Sequence, residues 1–285
     1  MAANPPHGPK KSFDAFGIGG VIVSLVTIGA AYLLEGGDLA ALVGVTPLMI
    51  VFGGTFAVLL AAFPFPIVLS LPKVFQKALF TEHEDPLEAV QTFVRLADKA
   101  RREGLLSLED EAAGLHDEFM KDGIQEVVDG TPPEQISELL EIRIAEMEAR
   151  HKERFSMFAA AGGFAPTLGI IGTVLGLVVV LANLGNSDTA ALGHAISVAF
   201  IATLYGVATA NLFWLPFGER LKARSAEEVG HKRMIVEGIL AIQAGDAPRL
   251  VRTKLEGFLS PADRRRSKQA SEGPVGGLEP AGARA

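Results

Sequence analysis

Few side chains in the long apolar stretches of this sequence can bind or transfer a cation. Tyr32, His194 and Tyr205 are the titratable groups there, and Thr173 and Thr203 add hydroxyl oxygens. Such oxygens can bind a partly dehydrated cation, but they also form hydrogen bonds between packed helices. The residues alone leave both interpretations of the two threonines open. His194 lies near the end of its stretch, which favours an interfacial residue over a proton relay.

No Asp, Glu, Lys or Arg occurs inside these stretches, which run over residues 16–34, 47–68, 158–183 and 192–217. A charged group inside a bilayer is costly and is kept for function, so spans that move ions by themselves usually contain one. If this chain moves cations, the carboxylate that receives them must come from another chain.

The stretches have the length and the flanking charges of membrane helices. Each covers roughly the 20 residues that cross a hydrocarbon core. All 26 Lys and Arg residues lie in the blocks 10–11, 73–154 and 220–284, outside both pairs of stretches. By the positive-inside rule, this pattern predicts four transmembrane helices, with both termini and the basic blocks in the cytoplasm.

The composition requires a wet portion beside the spans, since 49% of the residues are hydrophobic and 21% are charged. The predicted fold class is an all-α integral membrane protein with a helical cytoplasmic domain. Its predicted segments are a disordered N-terminal extension (1–12), transmembrane helices 1 and 2 (13–72), a cytoplasmic helical domain (73–155), transmembrane helices 3 and 4 (156–218), C-terminal cytoplasmic helices (219–260) and a disordered tail (261–285).

Local signals predict where helices of the wet portion begin and where order ends. Ser107 is expected to start a helix that runs toward Met120. Thr131 to Glu134 predicts a capping box with proline at the first helical position, and no breaker separates this helix from the third span. The basic run Arg264 to Lys268 stands among Gly, Pro and Ser, which favours a solvated disordered tail; contact with anionic lipid is the alternative.

Small residues form stripes in the third and fourth spans. Gly169, Gly172 and Gly176 share a face of the third span, and Gly206 lies on the small-residue face of the fourth. Such faces let helices approach closely.

Two prolines interrupt the same pair of spans. Pro166 opens the intramembrane part of the third span, and Pro216 is expected to close the fourth. A proline within a helix removes a backbone hydrogen bond. Each is therefore either a kink or a hinge.

The sequence gives no support for an enzyme. The motif GIGG at 17–20 lies inside an apolar stretch and not after a strand, so it is no dinucleotide-binding motif. The histidines of the wet helices are scattered, and no cysteine is present. No cofactor, resident metal or nucleic-acid partner is predicted.

Five motifs occur in a recognisable order: LLEGG at 33–37, VFGGT at 51–55, KARREGLLSLE at 99–109, FAPTLGIIGTVLGL at 164–177 and AFIATLYGVATANLFWLP at 199–216. In order, spacing and predicted topology they resemble the MotA/PomA family of bacterial flagellar stator subunits, which is distantly similar to TolQ and ExbB. The resemblance extends from about residue 13 to residue 259. TolQ and ExbB look different, because they have three spans and their main wet loop follows the first.

The resemblance implies an assembly and its partners. Similar proteins form a pentameric ring around a dimer of MotB, whose single membrane helix supplies the intramembrane aspartate. The ring lies in the bacterial inner membrane and converts a flux of H⁺ or Na⁺ into torque on the rotor. Either cation is compatible with this sequence, with protons slightly favoured.

The resemblance also assigns roles to single residues. Arg101 and Glu109 match the charges that meet the rotor protein FliG. Thr173 and Thr203 match the ring-lining hydroxyl positions. Pro166 and Pro216 match the two mechanistic prolines of the family.

Two other functions stay open at this point. One is a TolQ/ExbB-like proton-channel energiser of an outer-membrane process. The other is a membrane scaffold without ion flux, which the uncharged spans would also suit.

Overall fold

Long helices dominate the chain in the computed structural model, which describes residues 10–13, 15–83, 85–185 and 188–272. The chain divides into two units. The apolar unit comprises Lys10–His83 and Glu148–Ala226, and the polar unit comprises the described residues of 84–147 and 227–285. Helices α9 and α11 contribute residues to both units.

The apolar unit contains the candidate membrane helices and one small ribbon. Its elements in chain order are β1 (Lys10–Phe13), α1 (Ala15–Leu34), a 3-10 turn (Leu39–Leu42), α2 (Val45–Leu48), a π-helical turn (Met49–Gly53), α3 (Gly54–Ala62), α4 (Phe65–Leu69), α5 (Leu71–Leu79), β2 (Phe80–His83), part of α9 (Pro133–Ala182), α10 (Thr189–Thr209), a second π-helical turn (Ala210–Trp214) and part of α11 (Leu215–Gln243).

Four helical segments of the described chain are long and apolar enough to cross a bilayer, which confirms the predicted number of spans. The second of them, Val45–Ala62, is shorter than the predicted stretch 47–68. It ends because Phe63 adopts an extended conformation (φ −128°, ψ 151°) directly before Pro64. A proline disfavours helical backbone at the residue that precedes it.

A two-stranded antiparallel ribbon joins β1 to β2, with Lys10 opposite His83 and Phe13 opposite Phe80. The prediction of a disordered extension is therefore wrong for residues 10–12, because their backbone groups pair with a second segment of the apolar unit. Residues 1–9 lie outside the described part of the chain.

Helix α9 is continuous from Pro133 to Ala182, so the expected continuation into the third span is confirmed. The predicted capping box is wrong. The Thr131 hydroxyl donates to the Glu126 carboxylate at 2.8 Å and accepts from no described N–H, and the Thr131 N–H donates to the Glu126 carbonyl at 3.0 Å, so neither hydrogen bond of the box forms. The Thr131 carbonyl in turn accepts a hydrogen bond of 2.6 Å from the Gln243 side chain.

The helix of the fourth span does not end at Pro216. This residue stands second in α11, directly after the π-helical turn Ala210–Trp214, and the helix continues to Gln243. A π-helical turn changes the hydrogen-bond spacing from four residues to five. Proline has no N–H to donate to a carbonyl of the preceding turn. Because the π-helical turn already changes the hydrogen-bond pattern there, the helix continues beyond Pro216.

The polar unit is built from helices only, among its described residues. Its elements are α6 (Pro86–Glu103), a 3-10 turn (Leu105–Leu108), α7 (Glu109–Ala113), α8 (Glu118–Val128), the remaining parts of α9 and α11, α12 (Pro248–Glu256) and α13 (Pro261–Glu272). Their apolar faces share one core, whose fully buried members include Phe93, Leu96, Leu108, Ile124, Ile136, Ile239 and Val251.

The helix expected from Ser107 to Met120 is instead two helices. Helix α7 ends at Ala113, and α8 starts at Glu118. Asp117 determines the second start, because its carboxylate accepts hydrogen bonds from the Phe119 N–H at 2.9 Å and the Met120 N–H at 3.4 Å. The same carboxylate accepts a hydrogen bond of 3.0 Å from Lys232, whose ammonium also lies 5.6 Å from the centre of the Phe119 ring.

The tail expected to be disordered begins with a helix, α13. Pro261 starts it, and Ser260 caps it: the Ser260 hydroxyl donates to the Asp263 carboxylate at 2.6 Å and accepts from the Asp263 N–H at 3.2 Å. Contacts with α12 add to this, since Arg264 donates to the Glu256 carbonyl at 3.1 Å. The prediction is thus wrong for Pro261–Glu272, and residues 273–285 lie outside the described part.

Tyr205 connects the fourth span to the loop between the first two. Its hydroxyl donates to the Leu42 carbonyl at 2.5 Å and accepts from the Gly44 N–H at 3.2 Å. One of the titratable groups in the apolar stretches thus holds a loop in place.

Replacing Tyr205 with Phe should destabilise this loop. We expect a loss of about 1–2 kcal/mol, since a typical intramolecular hydrogen bond contributes about 0.5–1.5 kcal/mol, seen as a lower Tm of the purified protein in detergent. Tyr32→Phe is the matched control, because the Tyr32 hydroxyl forms no hydrogen bond with the described residues. Equal Tm values for both variants would contradict this role of Tyr205.

Candidate functional site

Thr173 of α9 and Thr203 of α10 lie against each other, with 2.5 Å between their hydroxyl oxygens. The Thr173 hydroxyl is also 2.9 Å from the Ala199 carbonyl and 3.1 Å from the Gly169 carbonyl. A hydroxyl has one hydrogen to donate and can accept as well. Thr203 can therefore donate to Thr173 while Thr173 donates to a backbone carbonyl, so both half-buried hydroxyls find partners within the chain.

Four glycines allow this contact between the helices. A Cβ atom on any of them would meet the opposite helix. For two of them the nearest atom is a backbone carbonyl oxygen, 2.5 Å away (Ala165) for Gly206 and 2.7 Å away (Ala202) for Gly169. For the other two it is a Cβ, 2.8 Å away (Ala202) for Gly172 and 2.6 Å away (Ala199) for Gly176. The structure thus places all four predicted packing glycines at the contact of α9 with α10. Such close approach lets hydroxyl and carbonyl oxygens of the two helices gather in one place.

The gathered oxygens can bind a cation, but they cannot take up a proton by themselves. Hydroxyl and carbonyl oxygens are neutral ligands for a dehydrated cation. No carboxylate, ammonium or guanidinium belongs to the apolar stretches of the sequence. The contact itself therefore contains oxygen ligands but no carboxylate.

Pro166 lies inside α9, at the level where α10 comes closest. Because proline has no N–H, the Gly162 carbonyl loses its usual helical partner. A Cβ on Gly206 would lie 3.1 Å from the Pro166 Cα, so the two helices touch at the proline itself. Helix α9 is nevertheless unbroken there.

Pro216 lies beside a cluster of aromatic rings. Phe75 of α5, Phe213 and Phe217 form a triangle with ring centroids 4.8–5.1 Å apart, and Trp214 packs edge-on against Phe213 at 4.9 Å. Aromatic pairs at such distances add about 0.5–1.5 kcal/mol each beyond area burial. This aromatic cluster was missed by the sequence reasoning, although the dense FWLPF run at 213–217 signals it.

Thr55 is a second group that the sequence reasoning missed. It is 1% exposed, and its hydroxyl oxygen has no hydrogen-bond partner among the described residues. Val51 and Leu59, one turn away on either side, are buried on the same face of the second span. A polar residue in the otherwise apolar run 47–68 was the available signal.

Arg101 and Glu109 stand at the surface of the polar unit. Arg101 lies in the last turn of α6, and Glu109 begins α7, with Gly104 (φ 87°) and the exposed Leu106 between them. Neither side chain forms a hydrogen bond or an ion pair with a described residue. Both charges therefore face outward and can interact with another molecule.

Several neighbouring charges are paired within the polar unit, although the adjacent Glu103 and Asp110 are also exposed and have no partner among the described residues. Glu111 accepts a hydrogen bond of 3.1 Å from Lys99 and a second one from Arg95. The Lys99 ammonium, with Arg95 beside it, holds the pKa of Glu111 below its ordinary value against the opposing effect of desolvation. Arg102 pairs with Asp98 on the same helix. Arg101 and Glu109 are distinguished from these paired neighbours by having no internal partner.

The fold and the site define a class of protein: a four-span membrane subunit with oxygen ligands at a helix contact, no acid of its own in the spans, and unpaired charges on a polar unit. Comparison with known proteins makes this specific. The model of the MotA/TolQ/ExbB proton channel family matches residues 111–234, and that of the motility protein A N-terminal region matches residues 18–104.

Curated relatives agree with these matches. Motility protein A of Bacillus subtilis (strain 168) is 38% identical over 207 residues, which are 72% of this chain and 76% of that protein. Motility protein A of Borreliella burgdorferi is 45% identical over 175 residues, 61% of this chain and 66% of the relative. Chemotaxis protein PomA of Vibrio alginolyticus is 35% identical over 192 residues, 67% and 74% of the two chains.

Solved structures extend the likeness to the fold. The chain matches the C. jejuni MotAB structure with a TM-score of 0.82 at 30% identity, covering 88% of this chain and 98% of that one. It matches the flagellar MotAB stator complex from Bacillus subtilis with a TM-score of 0.81 at 34% identity, with the same coverage.

The chain belongs to the MotA/TolQ/ExbB proton channel family. It is a membrane protein and a stator subunit of the flagellar motor, not an enzyme. The resemblance drawn from the five motifs is confirmed, and the TolQ/ExbB alternative remains only as the wider family.

Replacing Gly206 with Ala should force α9 and α10 apart, because the added Cβ would meet the Ala165 carbonyl. Overpacking of this kind costs about 1–3 kcal/mol, which would lower the Tm of the purified protein. Gly193→Ala on the same helix is the control, since its Cβ would meet nothing within 4 Å. A Gly206→Ala variant as stable as Gly193→Ala would mean that the helices are not in backbone contact.

Proposed function

We propose that this subunit forms a cation channel with a MotB-type single-span partner and converts ion-motive force into torque on the flagellar rotor. The observation that carries the proposal is the polar contact of Thr173 and Thr203 in spans that hold no acid. Both solved relatives are MotAB complexes. The partner supplies the intramembrane aspartate, and the gathered hydroxyl and carbonyl oxygens lie along the path to it.

A ring of subunits suits the exposed surface of the chain. Large apolar side chains of α9, among them Ile170, Val174 and Val178, are more than half exposed in the single subunit. In a membrane such a face is covered by lipid, by further copies or by a partner helix. We infer a pentameric ring around a MotB dimer, as the family resemblance implies.

The orientation follows from the basic residues. Lys and Arg occur only in the blocks 10–11, 73–154 and 220–284. We infer the bacterial inner membrane as the location, with both termini and the polar unit in the cytoplasm. This orientation presents Arg101 and Glu109 to the rotor protein FliG.

The mechanism links protonation to movement. Uptake of a proton by the partner's aspartate removes a charge from the ring interior and changes which subunit contacts are favourable. A pentamer around a dimer cannot satisfy all contacts at once, so successive protonations favour successive rotational positions. Pro166 and Pro216 act as hinges in this mechanism: the first lies at the closest approach of α9 and α10, and the second lies next to a π-helical turn.

Protons are the coupling ion in this proposal. The Thr203 hydroxyl can donate to Thr173 while the Thr173 hydroxyl donates to a backbone carbonyl, which leaves oxygen lone pairs available to a cation of either kind. The choice of ion therefore depends on residues of the partner helix, and the swimming assay below decides it.

Conductance with and without the partner tests the proposal. The chain alone in liposomes should dissipate no proton gradient, and co-reconstitution with the MotB-type partner should produce a conductance that is lost when the partner's aspartate is changed to asparagine. Swimming speed of a complemented strain should stay unchanged when external sodium is replaced by potassium at fixed pH. Leakage from the chain alone would refute the shared channel, and loss of swimming in potassium would identify sodium as the ion.

Charge reversal at Arg101 or Glu109 should reduce torque without reducing stability. Neither side chain has an internal partner, so Arg101→Glu and Glu109→Lys should keep the wild-type Tm, within about 0.5 kcal/mol as for ordinary surface changes. Swimming speed should fall because charges at a docking surface orient and register a partner.

Arg233→Glu is the matched control for these reversals, since Arg233 is also exposed and has no partner among the described residues. It should leave swimming unchanged. Equal swimming of all three variants would refute the docking role.

A further inference from the structure

A groove of about 360 Å³ lies on the apolar unit, between α1 and the inner part of the fourth span. Its walls are formed by Gly17, Gly20, Val21 and Ser24 of α1, and by Asn211, Leu212, Pro216 and Arg220 of the opposite helix. Neither the helix contact with the threonines nor the exposed charges of the polar unit belongs to it.

Glycines of α1 create the room in this groove. A Cβ on Gly20 would meet no atom within 4 Å, so the space beside this residue is open. At Gly17 the situation is different, because a Cβ there would lie 1.1 Å from a guanidinium nitrogen of Arg220. The Arg220 guanidinium therefore lies directly over the backbone of α1 and closes one end of the groove.

Arg220 is the groove's cationic group. The other polar groups bond within their own helices. The Ser24 hydroxyl donates to the Gly20 carbonyl at 2.9 Å, and the Asn211 amide nitrogen donates to the Val207 carbonyl at 2.9 Å. Arg220 is also the first basic residue after the fourth apolar stretch, so it stands where a membrane helix reaches the headgroup layer. A guanidinium has several N–H donors in a planar fork and can bind a phosphate while it keeps another partner.

We propose that this groove binds an anionic phospholipid. The headgroup phosphate lies against Arg220, and one acyl chain follows the wall formed by Gly20, Val21 and Leu212. The charge of the guanidinium selects an anionic headgroup, and the apolar wall on a membrane helix selects a hydrocarbon chain over a soluble ligand. The proposal depends on the membrane placement of the chain, not on torque generation, so it can fail or hold independently of the proposed function.

Filling the groove should remove the lipid. The full-length chain is purified in mild detergent, and the phospholipid retained per chain is counted by native mass spectrometry. Gly20→Leu should lower this number at least severalfold, because the new side chain extends into the groove from a position where a Cβ meets no atom within 4 Å. Gly19→Leu is the matched control: its Cβ also meets nothing within 4 Å, but Gly19 does not line the groove. Equal retention in the two variants overturns the proposal.

Headgroup selection tests the role of Arg220. Added phosphatidylglycerol should raise the Tm of the delipidated wild-type protein more than phosphatidylcholine does, and inorganic phosphate should raise it little. Arg220→Gln should abolish the difference between the two lipids, while Lys222→Gln, a change of a nearby exposed cation, should preserve it. The proposal is overturned if Arg220→Gln keeps the preference, or if inorganic phosphate stabilises as well as the lipid.

A second copy of the chain is the competing occupant. In a ring, a second copy would cover the groove with a different surface of the chain. Ser24→Cys supplies the only thiol in this cysteine-free chain, so a photoreactive thiol label there reports which molecule lies in the groove. Efficient crosslinks between two copies of the chain in lipid bilayers would overturn the lipid assignment, and crosslinks to lipid support it.

Discussion

The close backbone contact between α9 and α10 is the constraint on which the rest of the apolar unit depends. Four glycines remove the side chains that would separate the helices, and two of them stand directly against a carbonyl of the opposite helix. Between lipid-facing helices there is little hydrophobic driving force, so packing and interhelical hydrogen bonds provide the association. The paired hydroxyls of Thr173 and Thr203 and the contact at Pro166 exist only because the backbones come this close.

The spans hold paired hydroxyl groups but no acid. Thr173 and Thr203 bond to each other and to a nearby carbonyl, and Tyr205 bonds to the Leu42 carbonyl. The sequence places no Asp or Glu in the spans. In the proposed function, the group that changes protonation therefore belongs to the partner chain, so protonation would alter contacts between chains and leave those within one chain intact.

Hydropathy and charge predicted the four spans, because the length and burial of a membrane helix depend mainly on composition. Small-residue spacing also predicted that Thr173 and Thr203 would share a face with the glycines. The errors arose where a side chain had more than one nearby hydrogen-bond partner to choose from. Thr131 binds Glu126 instead of its own helix, and α13 is held by Ser260 and by contacts with α12. Local patterns also do not encode the π-helical turns, whose pairing depends on neighbouring helices.

No residue of the apolar segment Gly17–Leu34 of helix α1 is buried within the single chain. Packing within the single chain therefore does little to fix the tilt of this helix, and a helix adapts to hydrocarbon thickness by tilting at a cost of only fractions of a kcal/mol per Å. Bilayer composition thus becomes a structural variable of the subunit. A cell that changes its acyl chain lengths with temperature would also shift the outer wall of this subunit.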